Sequence, residues 1–152
     1  MPSYFPQPSD PDAPSSLRSA LPTWRQVAAV WAGGSLGCGL RALLELAGPA
    51  SGGFPLATLL INFAGAFLLG LLLESLLLCG DDSGVRRRLR LTLGTGVLGG
   101  FTTYSTFAIE SVDLLRSGRL GAAASYVVIT VAIGIAAAWA GIACARRMRD
   151  RS

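Results

Sequence analysis

From Leu120 to Ala145 the chain runs 26 residues without a charge. At about 1.5 Å of rise per helical residue, that length exceeds the ~30 Å hydrocarbon core of a bilayer, so the segment reads as a spanning helix. Two further stretches behave alike. Trp24 to Leu46 is an apolar stretch interrupted by Arg25 at its start and Arg41 near its end, and Leu56 to Cys79 is broken only by Thr58, Asn62, Glu74 and Ser75. A third span is expected to start near Leu91, after a charged connector over Gly80 to Arg90 that must lie in water or headgroups. Only 14% of residues are charged, where a soluble domain has roughly a quarter. Backbone groups at membrane depth need partners, so an all-α protein of four transmembrane helices follows. The connectors leave no room for a soluble domain.

Several function classes fall away on composition. The chain has no histidine, which removes a Ser-His-Asp triad, a His-ligated metal and a Cys-His pair, so an enzyme is not expected. Cys38, Cys79 and Cys144 lie far apart in or beside apolar runs and read as small packing residues. All 13 basic residues are arginine and cluster at the ends of apolar segments. They read as topology signals, and nucleic acid is not an expected partner. Residues 1–22 hold six of the eight prolines and five serines, a composition expected to stay disordered. Cleavage as a signal peptide is disfavoured, because the apolar run starts late and lacks a small-x-small site. Residues 23–147 form the membrane unit and 148–152 a basic end.

Arginine placement orients the chain. With four spans, the tail, the second connector and the C-terminus share one side, which holds Arg18, Arg25, Arg86, Arg87, Arg88, Arg90, Arg146, Arg147, Arg149 and Arg151. The other side has Arg41, Arg116 and Arg119. The positive-inside rule then places both termini in the cytoplasm of a multi-pass cell-membrane protein.

Some polar groups sit where lipid would penalise them. Asn62 lies seven residues into the second span, where its amide needs a partner; a helix-to-helix hydrogen bond is the simplest reading. Arg41 is close enough to a helix end to snorkel as an anchor. The segment GTGVLGGFTTYSTF, Gly94 to Phe107, is different in kind. Its glycines, threonines and serine favour an unwound stretch in the third span, and half-helix ends present N–H groups to anions and carbonyls to cations. The ring edges of Tyr104 and Phe107 carry partial positive charge that suits an anion. A kinked helix packed on Gly and Thr is the alternative. The spacings Gly33 to Gly37 and Gly96 to Gly100 permit close helix contact.

The patterns GGSLGCGLR (Gly33 to Arg41), NFAGAFLLG (Asn62 to Gly70) and GGFTTYSTF (Gly99 to Phe107) followed by Glu110 resemble the small fluoride-channel family, Fluc or CrcB. The resemblance covers Trp24 to Arg147. It implies four-helix subunits that pair antiparallel and build two fluoride pores around a structural Na⁺ at the dimer interface. By position it implies that Asn62 donates to fluoride and that Arg41 draws anions into a vestibule. Gly99 and Thr102 match the carbonyls that hold Na⁺. Tyr104 and Phe107 match the paired aromatics, Ser105 and Thr106 the hydroxyls between them, and Tyr126 and Thr130 a polar track in the last helix. Two positions depart from the pattern: Tyr104 stands where Phe is usual, and Gly134 where a second hydroxyl is usual.

Fluoride is small, strongly hydrated and a good acceptor, so a pore must replace its water with such donors. Hydrogen fluoride crosses membranes as a neutral acid and ionises inside, and a passive pore then lets the trapped anion leave. An antiparallel homodimer needs nearly equal insertion both ways, which the arginine bias opposes; a heterodimer with a paralogue of opposite bias is expected. The rivals are a four-helix proton-coupled exporter, whose nearest candidate carboxylate is Glu45, and a non-transporting membrane scaffold.

Overall fold

The computed structural model describes residues 23–48 and 53–151, and among these every regular element is helical. The tail expected over 1–22 lies outside the described residues. Helix α1 (Trp24–Ala47) starts at a capping box, in which the Thr23 N–H donates to Gln26 Oε1 at 2.8 Å and the Gln26 N–H to Thr23 Oγ1 at 3.4 Å. Two amide groups at a helix start are thereby satisfied without solvent. Helix α2 (Leu56–Leu78) follows Pro55, a place where a missing N–H is tolerated. Helix α3 (Gly84–Leu89) leads into a π-helical segment, Arg90–Leu98, and then into α4 (Gly99–Phe101). After a break come α5 (Ser105–Arg116) and α6 (Leu120–Arg149). Gly118, at φ +73°, makes the turn into α6 in a conformation that favours glycine.

Helices α1, α2 and α6 are each long and apolar enough to cross a membrane. The expected third span does not form one such helix, for two reasons. Its start is helical earlier than hydropathy suggests, because Gly84–Leu89 of the charged connector already coils. Its middle is then widened: the Gly99 N–H donates to the Gly94 carbonyl five residues back, not four. The final helix also outlasts its apolar run, with Arg146, Arg147 and Arg149 in its last turn beside the negative end of the helix dipole.

Glycine contacts hold the elements together. A Cβ on Gly33 would meet the Thr92 carbonyl, one on Gly37 the Val97 carbonyl, and one on Gly100 the Gly34 carbonyl. The two GxxxG spacings therefore face each other, and α1 lies backbone to backbone on the 90–101 segment. A second seam joins α2 to α6, with Gly70 against the Ala138 carbonyl and Gly141 against that of Phe67. At one end, Arg119 Nη1 donates to the Gly53 carbonyl at 2.9 Å, which brings the first and third connectors together. Towards the other end, Arg146 Nε meets Glu74 Oε1 at 2.7 Å.

Candidate functional site

The break lies at Thr102 to Tyr104. Thr102 is extended, with φ −76° and ψ 154°, and helix resumes at Ser105. Extended backbone inside an apolar bundle strands its polar groups unless side chains replace the lost ladder. Asn62 does so from α2: its Oδ1 accepts from the Thr103 N–H at 2.8 Å and its Nδ2 donates to the Thr103 carbonyl at 2.9 Å. The amide thus mimics a strand partner for one residue. Its second Nδ2 hydrogen is left for another acceptor, since a side-chain amide carries two.

Thr103 restarts the helix. Its buried Oγ1 accepts from the Thr106 N–H at 3.1 Å, donates to Thr106 Oγ1 at 3.1 Å and lies 3.2 Å from Ser105 Oγ. The three hydroxyls form one knot at the start of α5. On the preceding side, Thr102 Oγ1 donates to the Leu98 carbonyl at 3.0 Å. Arg41 Nε reaches the Gly100 carbonyl at 3.4 Å while its Nη1 pairs with Glu45 at 3.1 Å. Arg41 therefore points at the freed carbonyl end of the broken helix as well as at a neighbour on its own helix. Glu45, the carboxylate an exporter would use, is held in that pair.

A row of rings follows the break. Tyr104 and Phe107 have centroids 6.0 Å apart, Phe107 and Tyr126 5.3 Å, and Tyr126 meets Phe54 edge-on at 5.6 Å. Tyr126 is wholly buried, whereas Tyr104 is 81% exposed and turns out of the subunit. At the hydroxyl of Tyr126 lies a carboxylate to which the sequence assigns no role. Glu110 Oε1 accepts from Thr58 Oγ1 at 2.8 Å, and its Oε2 from the Tyr126 hydroxyl at 2.7 Å. The carboxyl one turn after Phe107, flanked by Ile109 and Ser111 within the third span, is the available signal; Thr58 and Tyr126 carry none, because only tertiary packing brings them to it. One turn along α6, the buried Thr130 hydroxyl has no hydrogen-bond partner among the described residues.

Asn62, Ser105, Thr106, Phe107 and Tyr126 thus gather around one break, with Arg41 on its other side. Gly99 and Thr102 sit on the N-terminal half, Gly99 exposed and Thr102 half-buried. The CrcB-like protein, Camphor Resistance (CrcB) family profile matches residues 28–142, which hold every one of these positions. The chain belongs to the CrcB-like family. Among CrcB-like relatives, it is 49% identical over 131 residues to the fluoride-specific ion channel FluC 2 of Leifsonia xyli subsp. xyli, covering 84% of this chain and 90% of that protein. It is 45% identical over 121 residues to FluC 1 of Cutibacterium acnes, covering 79% and 85%. It is 41% identical over 127 residues to FluC of Agrobacterium fabrum, covering 80% and 97%.

Proposed function

We propose that this chain is one subunit of a fluoride-selective passive channel that exports cytoplasmic fluoride down its electrochemical gradient. The observation that carries the reading is the helix break held by Asn62 beside the row of rings. A hydrated fluoride entering such a break exchanges water for fixed donors: the second Nδ2 hydrogen of Asn62, the hydroxyls of Ser105 and Thr106, and the ring edges of Tyr104 and Phe107. The Thr130 hydroxyl continues the track along α6, beside the Tyr126 ring whose hydroxyl is held by Glu110. Arg41 raises the local anion concentration at the mouth. The outward-turned Tyr104 ring, where the family has Phe, lies where a neighbouring subunit would meet it.

The segment 84–116 serves as the fourth crossing, and the subunit pairs antiparallel with a second one. The outward faces of Trp31, Leu36, Val128 and Trp139 are apolar and suit either lipid or that second subunit. The carbonyls of Gly99 and Thr102 are hard oxygen donors on the half-helix whose ladder ends at Thr102, and they would hold Na⁺, whose charge would offset the negative end of that half-helix. The arginine bias puts both termini in the cytoplasm and favours a paralogous partner of opposite bias over a second copy. The numbered names FluC 2 and FluC 1 among the relatives agree with paired genes.

Fluoride-electrode recording of efflux from liposomes tests this. Flux appears when the chain is reconstituted with its partner and is weak or missing with the chain alone; full flux from the chain alone overturns the heterodimer, and no flux in either form overturns the channel. Thr130→Ala separates conduction from structure. Its hydroxyl has no hydrogen-bond partner among the described residues, so the change leaves thermal stability within about 0.5 kcal/mol while lowering fluoride flux severalfold.

A further inference from the structure

At the arginine-rich end of the bundle, the first turn of α1 and the stretch from Asp82 to Thr92 enclose a cleft of about 470 Å³. Arg25, Arg87 and Arg88 line it, together with Gln26, Ala29 and Leu91. None of the three guanidiniums donates a hydrogen bond or closes an ion pair among the described residues. Three like charges lining one cleft raise its positive potential and favour an anion there. Asp82, on the rim, offsets only part of that charge: Arg87 lies near it, but its direct partner is Arg90. Its carboxylate is bound by Arg90 at 2.6 and 3.1 Å, and that hydrogen bond holds its pKa below the ordinary aspartate value.

Position narrows the ligand. The capping box places the cleft at the start of a spanning helix, with Trp24 exposed beside it and the apolar side chains of Ala29 and Leu91 on its membrane side. Tryptophan at such a level marks the interface between hydrocarbon and headgroups. A free phosphate would satisfy the arginines but leave those side chains uncovered, whereas a phospholipid satisfies both. We propose that the cleft binds an anionic phospholipid of the inner leaflet, its phosphate held by Arg25, Arg87 and Arg88 and its first acyl carbons lying on Ala29 and Leu91. Planar guanidiniums are the side chains best matched to phosphate oxygens. The inference rests on the membrane orientation proposed above and is independent of the ion conducted.

Native mass spectrometry of the full chain, released from mixed micelles holding equal phosphatidylglycerol and phosphatidylcholine, reads this directly. Phosphatidylglycerol is retained at least fivefold over phosphatidylcholine. R25Q/R88Q brings the ratio near one, R25K/R88K keeps part of the preference, and R149Q/R151Q, at the C-terminal basic end, leaves it unchanged. Equal retention of the two lipids overturns the proposal, as does an equal loss in R149Q/R151Q, which marks a diffuse charge effect. Displacement of the lipid by millimolar inorganic phosphate overturns the lipid assignment in favour of a free anion. Retention that rises severalfold in D10N/D12N overturns it in favour of the chain's own N-terminal carboxylates. Fluoride flux is not part of the readout, so failure here and failure of the channel reading are told apart.

Discussion

Asn62→Ala abolishes fluoride flux and destabilises the subunit together. The side chain makes both hydrogen bonds to the one residue at the centre of the break, at 2.8 and 2.9 Å. Without it the Thr103 N–H and carbonyl are both stranded, at about 1–3 kcal/mol each. Water cannot make up the loss within the bilayer core. The break then either closes into helix, which buries the hydroxyl knot of Thr103, Ser105 and Thr106 elsewhere, or stays open and disordered. Neither state presents donors at fixed positions. Asn62→Asp separates the two roles, because a carboxylate still accepts from the Thr103 N–H but repels the Thr103 carbonyl and any passing anion. It is expected to keep part of the stability and none of the flux. Thermal unfolding in detergent and fluoride-electrode efflux measure the two effects; wild-type values in both for Asn62→Ala would show the amide to be incidental and would favour a scaffold.

Gly37→Val has an effect of similar size on folding alone. Even a Cβ at this position would meet the Val97 carbonyl, with the Phe101 amide nitrogen only 2.8 Å away. Overpacking costs about 1–3 kcal/mol where side chains can shift. Here the obstacle is backbone, so α1 must separate from the 90–101 segment along the whole seam of Gly33, Gly37, Gly96 and Gly100. The expected result is loss of monodisperse protein on purification, with no variant left to assay for transport. Gly121→Ala is the matched control, since nothing lies within 4 Å of a Cβ there, and it purifies as wild type. A well-folded Gly37→Val subunit would mean that the seam is looser than these distances require.

Hydropathy alone gives the first two long helices to within a residue and the start of the last, whose end runs four residues past its apolar run, because lipid demands about 20 apolar residues in a row and little else. It also locates the weak point of the third span, since the glycines and hydroxyls of Gly94 to Phe107 cannot compete with leucine for helix. It does not say where within those residues the coil ends. That choice falls on Thr102 to Tyr104 because Asn62, some forty residues away, offers one donor and one acceptor at that level. The π-helical turn before it has no local signature; it arises where Gly96 and Gly100 let α1 press onto the backbone. Asn62 was legible as a costly amide, but its partner was not. Thr103 is one threonine among several, and only the fold makes it the hub of the site. The Glu110 cluster escaped for the same reason: Thr58 and Tyr126 join it from two other helices. Arg41 read locally as an anchor, and its reach to Gly100 depends on the glycine seam that brings α1 so close.

The central claim is that a gap in one helix, closed sideways by an asparagine amide, gives fluoride a lined path that other anions cannot use. Potassium-gradient efflux with valinomycin, run on matched liposomes loaded with fluoride or chloride and containing the assembled channel, tests it most directly. The account predicts rapid fluoride release with chloride retained at the level of protein-free vesicles. Equal release of both anions, or retention of both, would contradict it.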